Sequence, residues 1–414
     1  MGPAVLVDMV HGCCPTCAGL SLQEESTADA HVFLLYGKRY REEDGLSDAA
    51  LSACRSVQVL DSGSTAECLY QLKQTVDRLE LSTVTVLTTP QGREVLLVYQ
   101  QQLFTAVYTF NYKVRSVDNF TCPSCAGSDH TDSPGAAVHE EVSAFLQRLP
   151  ALKGGITVLQ STLIPGCFGH GFSTRTGGVS YLPTLSSMNL FNSSKRRDPQ
   201  AVVTENRRRL ALHAGFHPEP LHMIKTNHAS DVWVMGTAEP ESYDGIITNQ
   251  TGVVLGAPGA DCMPLLFADP VSKVIGAAHA GWRGTLMGVA MATVEAMVRG
   301  FGCQVSNIVV AVGPSVGACC FTLDRAQALD FIRIHPDCVP DPESARPHVN
   351  IRLANRILLQ NGGILHEHIH DDTVTTRPCV TPCTSCHPEH FFSHVRDGPD
   401  FGTQVGFLWV RNQL

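Results

Sequence analysis

The chain contains no run of 18 or more apolar residues, which excludes a helix that spans a bilayer. It also lacks an excess of positive charge. Lys and Arg number 30 against 39 Asp and Glu, so the formal net charge is −9 and the pI is near 6.0. Nucleic-acid binders neutralise phosphates with a basic field, and this balance excludes them as partners. Two short basic runs, Lys195-Arg196-Arg197 and Arg207-Arg208-Arg209, read as a solvated helix face and its lead-in. There is no G-x-x-x-x-G-K-[ST] loop and no G-x-G-x-x-G after a strand, so neither common nucleotide-phosphate cradle is present. The opening MGPAVLVDMVHGCC has no basic region ahead of its apolar one and carries Asp8, unlike a signal peptide. Pro3 and Leu6 break the myristoylation pattern. A cytoplasmic location is therefore expected, where sixteen cysteines stay reduced and are read first for metals and catalysis.

What is present is globular. Of 414 residues, 43 % are apolar and 17 % charged, enough to bury two or three cores. Residues 1–125 mix helical segments with β-rich runs (ELSTVTVLTT, REVLLVYQQ, LFTAVYTFNYKV) and read as an N-terminal α/β extension. Residues 126–154 form a polar, Gly/Pro-containing linker and a short amphipathic helix, HEEVSAFLQRLPAL. From 155 to 414 strands and helices alternate with Gly-rich turns. The extension carries two similar units, CPTCAG at 14–19 and CPSCAG at 122–127. Paired C-x-x-C units can supply a structural zinc site, although the gap here is far longer than usual. A further pair is Cys383 and Cys386.

In the longer part, Asp198 and Pro199 start a helix that Gly215 stops, with Val202, Asn206 and Leu210 on one face. KVIGAAHAG reads as a buried strand ending at His279. TLMGVAMATVEAMVRG reads as one helix capped by Thr285 and stopped at Gly300, with Leu286, Ala290, Val294 and Met297 as its core stripe. This places His279, Trp282 and Arg283 in a strand-to-helix loop, where α/β proteins gather ligands.

Several constellations can carry chemistry. His228, Cys262 and His279 each sit at a strand end or turn, and two imidazoles with a thiolate suit a zinc ion that keeps an open position. Spacing alone does not separate this from a buried structural cysteine with satisfied histidines. A lone Cys-His pair is also a possible nucleophile and base. Gly313-Pro314-Ser315-Val316-Gly317 matches G-x-S-x-G, but no HGGG-type motif accompanies it and a proline turn explains both glycines. His366, His368 and His370 alternate as strand residues would, too few for a copper oxidase and better read as an exposed edge. Ser173, Thr174 and Arg175 precede a Gly-Gly turn, and Arg175 with Arg283 has the fork chemistry to hold phosphate.

Taken in order, FSTRTGGVS, NHASDV, YDGIIT, GADCMPLLFAD, AAHAGWRG, GPSVGACC and CTSCHPEHFFSHVRDG resemble the laccase-domain, polyphenol-oxidase-like family across roughly 155–412. The resemblance implies an α/β fold of layered mixed sheets, preceded by the smaller α/β domain. It implies a zinc-dependent purine nucleoside phosphorylase that also deaminates adenosine, with one catalytic zinc ion, not copper. Inorganic phosphate would be the co-substrate, and adenosine, inosine and methylthioadenosine the substrates. The ligands carried over are His228, Cys262 and His279. Around them we expect Arg175, Arg283 and Ser173 at phosphate, Trp282 stacked on the purine, and Asp261 supporting a histidine. Val395 and Thr403 replace arginines of the family pattern. Two rival classes are a metal hydrolase of another C–N bond, such as a ureido group, and a scaffold with a vestigial site. Protein partners, if any, would use the N-terminal domain.

Overall fold

In a computed structural model the chain is described over residues 2–11, 18, 22, 29–36, 51–52, 54–114 and 134–412. The described residues cluster into two units, Met1–Pro150 with Asn192–Glu205, and Ala151–Phe191 with Asn206–Leu414.

The first unit is built on five parallel strands: β1 (Ala4–Asp8), β2 (His31–Leu35), β3 (Ser56–Leu60), β4 (Thr83–Thr88) and β5 (Thr109–Val114). Their order is β3-β2-β1-β4-β5. Helices α1 (Thr65–Arg78), α2 (Pro90–Leu103) and α3 (Pro134–Arg148) accompany them. REVLLVYQQ, expected to be β-rich, lies inside α2. Its β-branched valines are outvoted by local signals: the Thr89 hydroxyl caps the Gly92 N–H at 3.1 Å and Pro90 opens the first turn. Leu96, Tyr99 and Leu103 are then buried at helical spacing. The lead-in Lys195-Arg196-Arg197 is not simply solvated. Arg197 donates to the buried Asp77 carboxylate at 2.6 Å and stacks on Tyr108. The CPTCAG and CPSCAG cysteines lie outside the described residues.

The second unit holds two sheets. One consists of β6 (Val158–Leu159), β7 (Phe168–Ser173), β8 (Leu221–Met223), β11 (Val254–Gly259) and β16 (Gln404–Val410), in the order β6-β7-β16-β11-β8. The other consists of β9 (Val232–Val234), β10 (Gly245–Thr248), β12 (Met263–Asp269), β13 (Val274–Ala280), β14 (Val309–Val312) and β15 (Ile369–His370), in the order β15-β14-β12-β13-β10-β9. Both mix parallel and antiparallel pairs. Every residue of β12 and β13 is buried, and parity divides them between two cores. Met263, Leu265, Phe267, Ala278 and Ala280 face a core shared with the helices. Leu266, Ala268, Ile275 and Ala277 face a core shared with Phe172 and Leu408 of the first-mentioned sheet. The unit is therefore layered, helices on one side of the central sheet and a second sheet on the other.

The helices follow the expected segments with two differences. Helix α4 (Gln200–Ala214) ends at Gly215, whose φ of +83° suits a left-handed cap, and Val202, Asn206 and Leu210 are buried as expected. Its Arg207 is half-buried with Nε donating to the Leu190 carbonyl, so this run too is only partly solvated. The single helix expected after His279 is two: α5 (Trp282–Leu286) and α6 (Val289–Phe301). Gly288, at φ +79°, breaks them, so Thr285 lies within α5 and does not cap. The stop is Gly302, not Gly300, and Ala290, Val294 and Met297 keep the core stripe. Helices α7 (Arg325–Ile332) and α8 (Ile351–Asn361) complete the layer. His366–His368 form a 3-10 turn and only Ile369 and His370 a strand, so the three histidines share no face. His370 is buried against the Ser161 hydroxyl at 2.7 Å.

Candidate metal centre

The central sheet brings Cys262 and His279 together by register. Strands β12 and β13 pair antiparallel with Pro264 opposite His279 and Met263 opposite Ala280. Cys262, two positions before Pro264, is thus the diagonal neighbour of His279 on the same face. Continuing the register one step sets Cys262 opposite Gly281. A Cβ at Gly281 would stand 2.9 Å from Cys262 Sγ and 3.6 Å from His228 Cδ2, so only glycine leaves room there. His228 arrives from the turn ahead of β9, with φ +64°. One ligand atom from each of the three lies within 4.8 Å of the others, and the two imidazole rings are 88° apart.

Asp244 organises the cluster. It precedes β10, whose pairing with β13 sets Gly245 opposite Ala278 and so Asp244 beside His279. Its Oδ1 lies 2.8 Å from His279 Nδ1, while Oδ2 accepts from the backbone N–H of Asn227 and of Ala229 at 3.0 and 2.9 Å. One fully buried carboxylate therefore holds both the His279 ring and the turn that carries His228. With Nδ1 engaged, His279 presents Nε2 to the cluster, the arrangement expected behind a metal-ligating histidine. Sequence reasoning quoted Asp244 within YDGIIT without assigning it. The only available signal was an acidic residue directly ahead of an apolar strand.

Charge in the cluster is coupled. Burial opposes a thiolate at Cys262, but the charge of His279 and hydrogen bonds from His228 and His279 hold its pKa below the ordinary range. Burial likewise opposes protonation of His279, yet the Cys262 thiolate and Asp244 raise it. The two shifts run in the direction of a thiolate beside an imidazolium. Two imidazoles, a thiolate and the space kept by Gly281 suit a divalent metal ion with an open position.

The remaining expected residues separate. Arg283 is exposed in α5 and its guanidinium lies over the Trp282 ring, 5.0 Å from the centroid. Among the described residues its guanidinium has no hydrogen-bond partner. Trp282 is half-buried against the helical core. Arg175 is different: it is 4 % exposed, and Nε, Nη1 and Nη2 donate to the carbonyls of Ser186, Pro388 and Pro183, each at 2.8 Å. Its fork is occupied by backbone, and its face packs on Phe392. Ser173 is fully buried and accepts from Val405 N–H. Asp261 does not support a histidine; its carboxylate accepts from the Thr384 hydroxyl at 2.5 Å and from Val395 N–H at 2.7 Å. Val395, with its side chain exposed, thus contributes its backbone, and Thr403 N–H donates to Asn189 Oδ1.

Ser315 sits in a turn and not at a nucleophile elbow. No helix follows directly, since α7 begins at Arg325. Its buried hydroxyl accepts from Arg352 Nε at 3.0 Å, and among the described residues no histidine hydrogen-bonds to it. Ser315→Ala should leave turnover within a few-fold of wild type, whereas losing a triad nucleophile costs on the order of 10⁴ or more. A loss of that size in steady-state kinetics would restore the serine as nucleophile.

The profile of the family described as multi-copper polyphenol oxidoreductase laccase matches residues 169–411, and the chain belongs to that family. Purine nucleoside phosphorylase LACC1 of Mus musculus is 53 % identical over 84 % of this chain and 80 % of its own length. Adenosine deaminase RL5, from an unknown prokaryotic organism, is 30 % identical over 56 % of this chain and 90 % of its own length. The crystal structure of YlmD from Geobacillus stearothermophilus aligns with a TM-score of 0.52 at 29 % identity, covering 61 % of this chain and 94 % of that one. Among the described residues no helix is long and apolar enough to cross a membrane.

Proposed function

We propose that the chain is a zinc-dependent purine nucleoside phosphorylase that also converts adenosine to inosine, with residues 155–414 as its catalytic domain. The observation that supports this reading most is the convergence of His228, Cys262 and His279 around Asp244 and Gly281. Its context is a relative named as a purine nucleoside phosphorylase at 53 % identity and another named as an adenosine deaminase. His228, Cys262 and His279 would hold the ion, through His279 Nε2 and the Cys262 thiolate. A zinc ion bound there supplies Lewis acidity at neutral pH.

The chain's own residues do the rest. Asp244 fixes the His279 tautomer and keeps the ring pointed at the cluster. Arg283, exposed and with a guanidinium that makes no hydrogen bond among the described residues, is the arginine we assign to inorganic phosphate. Arg175, with its fork on three carbonyls, instead keeps the segments around Ser186 and Pro388 in place. Trp282 offers an apolar ring beside Arg283 on which a purine can stack. Phosphorolysis then needs phosphate aligned behind the sugar C1′ as the bond to the base breaks. Deamination needs only water delivered to C6.

Purified, metal-quantified protein assayed with adenosine and phosphate should yield adenine and ribose 1-phosphate. Inosine should give hypoxanthine, and methylthioadenosine should give adenine. Adenosine without phosphate should yield inosine and ammonia. Absence of turnover on all three nucleosides overturns the reading.

A further inference from the structure

Outside the centre described above, four cysteines meet at a second place. Cys319 and Cys320 lie in the turn after β14, and Cys383 and Cys386 in the segment after β15. All four Sγ atoms lie within 4.8 Å of one another. Cys386 Sγ is 3.5 Å from Cys319 Sγ and 3.4 Å from Cys320 Sγ. These separations are much longer than a disulfide bond of about 2.05 Å. They approach the roughly 3.8 Å edge of a tetrahedron whose zinc–sulfur bonds are about 2.3 Å.

The backbone is built to hold the sulfurs there. Ser315 and Cys383 form a parallel bridge, and Thr384 N–H donates to the Ser315 carbonyl at 3.0 Å. Arg352, itself buried, ties the Ser315 hydroxyl and carbonyl to the Pro382 carbonyl and to Asp372. Gly317 N–H donates to Cys383 Sγ at 3.3 Å, which favours the thiolate a metal needs. A Cβ at Gly317 would stand 3.2 Å from Cys319 Sγ, so a larger residue would press on the cluster.

We propose that Cys319, Cys320, Cys383 and Cys386 form a second, structural metal site of the tetrathiolate type, taking zinc. Four thiolates close the coordination shell, so the ion does no chemistry. It staples the turn at 315–320 to the segment at 383–386. Those same stretches hold Asp261: Val316 N–H donates to its carbonyl at 3.2 Å and the Thr384 hydroxyl to its carboxylate. Asp261 is the residue before Cys262, so the staple positions one ligand of the other centre.

The test uses full-length protein purified under reducing, anaerobic conditions. Elemental analysis should show that Cys320→Ser/Cys386→Ser loses about one zinc equivalent relative to wild type. Cys262→Ser should separately lose its own equivalent, which keeps failure of either site distinguishable. Because the double variant can misfold, the wild type provides an independent reading. Cys319 and Cys386 are exposed, yet peptide mapping should find them shielded from alkylation until a chelator is added. Cobalt(II) substitution should add tetrathiolate charge-transfer bands that the double variant lacks. Unchanged zinc in a folded double variant, free alkylation of Cys319 and Cys386 in zinc-loaded protein, or a disulfide within the cluster would each overturn the proposal.

Discussion

Cys262→Ser is expected to leave a folded chain that neither retains the ion of the His228–Cys262–His279 centre nor turns over nucleosides. The thiolate is one of three protein donors, and a serine hydroxyl is a poor substitute because it does not ionise at neutral pH. Activity should fall by on the order of 10⁴ or more, the scale of losing a central member of a catalytic constellation. That loss alone would fit a cysteine nucleophile paired with His279. His228 separates the two: a metal needs it, and a Cys-His pair does not. His228→Ala should therefore cost as much as His279→Ala, both with loss of about one zinc equivalent. Chelation should abolish turnover and added zinc restore it. Full activity in zinc-free protein, together with a covalent adduct trapped at Cys262, would falsify the metal assignment.

The second large effect is expected at Asp244. Its carboxylate is fully buried and satisfies His279 Nδ1 and two backbone N–H groups. Asp244→Ala leaves those donors without partners, at roughly 1–3 kcal/mol each. It also frees the His279 ring to rotate and loosens the turn carrying His228. Loss of a residue behind a metal ligand typically weakens metal binding by about 10–100-fold. Both readouts are needed: competition with a chromophoric chelator for affinity, and thermal unfolding for stability. Asp244→Asn should fall between, since its one carbonyl oxygen can replace only part of what two carboxylate oxygens accept. Wild-type zinc affinity in Asp244→Ala would show that the carboxylate has no part in holding the centre.

The sequence carried the candidate ligands more clearly than their support. His228, Cys262 and His279 were legible because donor chemistry and strand ends coincide with a specific motif order. Asp244 was not, because its relation to His279 is a matter of strand register, and register depends on pairing across the sheet. Arg175 failed as an expected phosphate contact for a related reason. A motif shows that an arginine is there, not which carbonyls fold around it. The α5–α6 break at Gly288 shows the reverse case, where a continuous apolar stripe concealed a local signal. REVLLVYQQ was misread because valines weigh toward strand, while Thr89 and Pro90 set the helix start just outside the stretch considered. The cysteines show the limit most plainly. Nothing in the spelling of GACC and CTSC announces that the fold sets these two stretches side by side.

The β12–β13 pairing has a consequence for how this protein can vary. The distance between two ligands is measured out by a hairpin whose connection is only residues 270–273. Side chains along it can change with repacking, but the length of its strands cannot. Adding or deleting one residue within β13, between the turn and His279, would turn the side chains beyond it to the opposite layer. His279 would then face the helices, and the apolar residues of two cores would exchange places. Length variation between the turn and either cluster residue is therefore closed to the protein, whereas the connection itself can take up a residue as surface loops do.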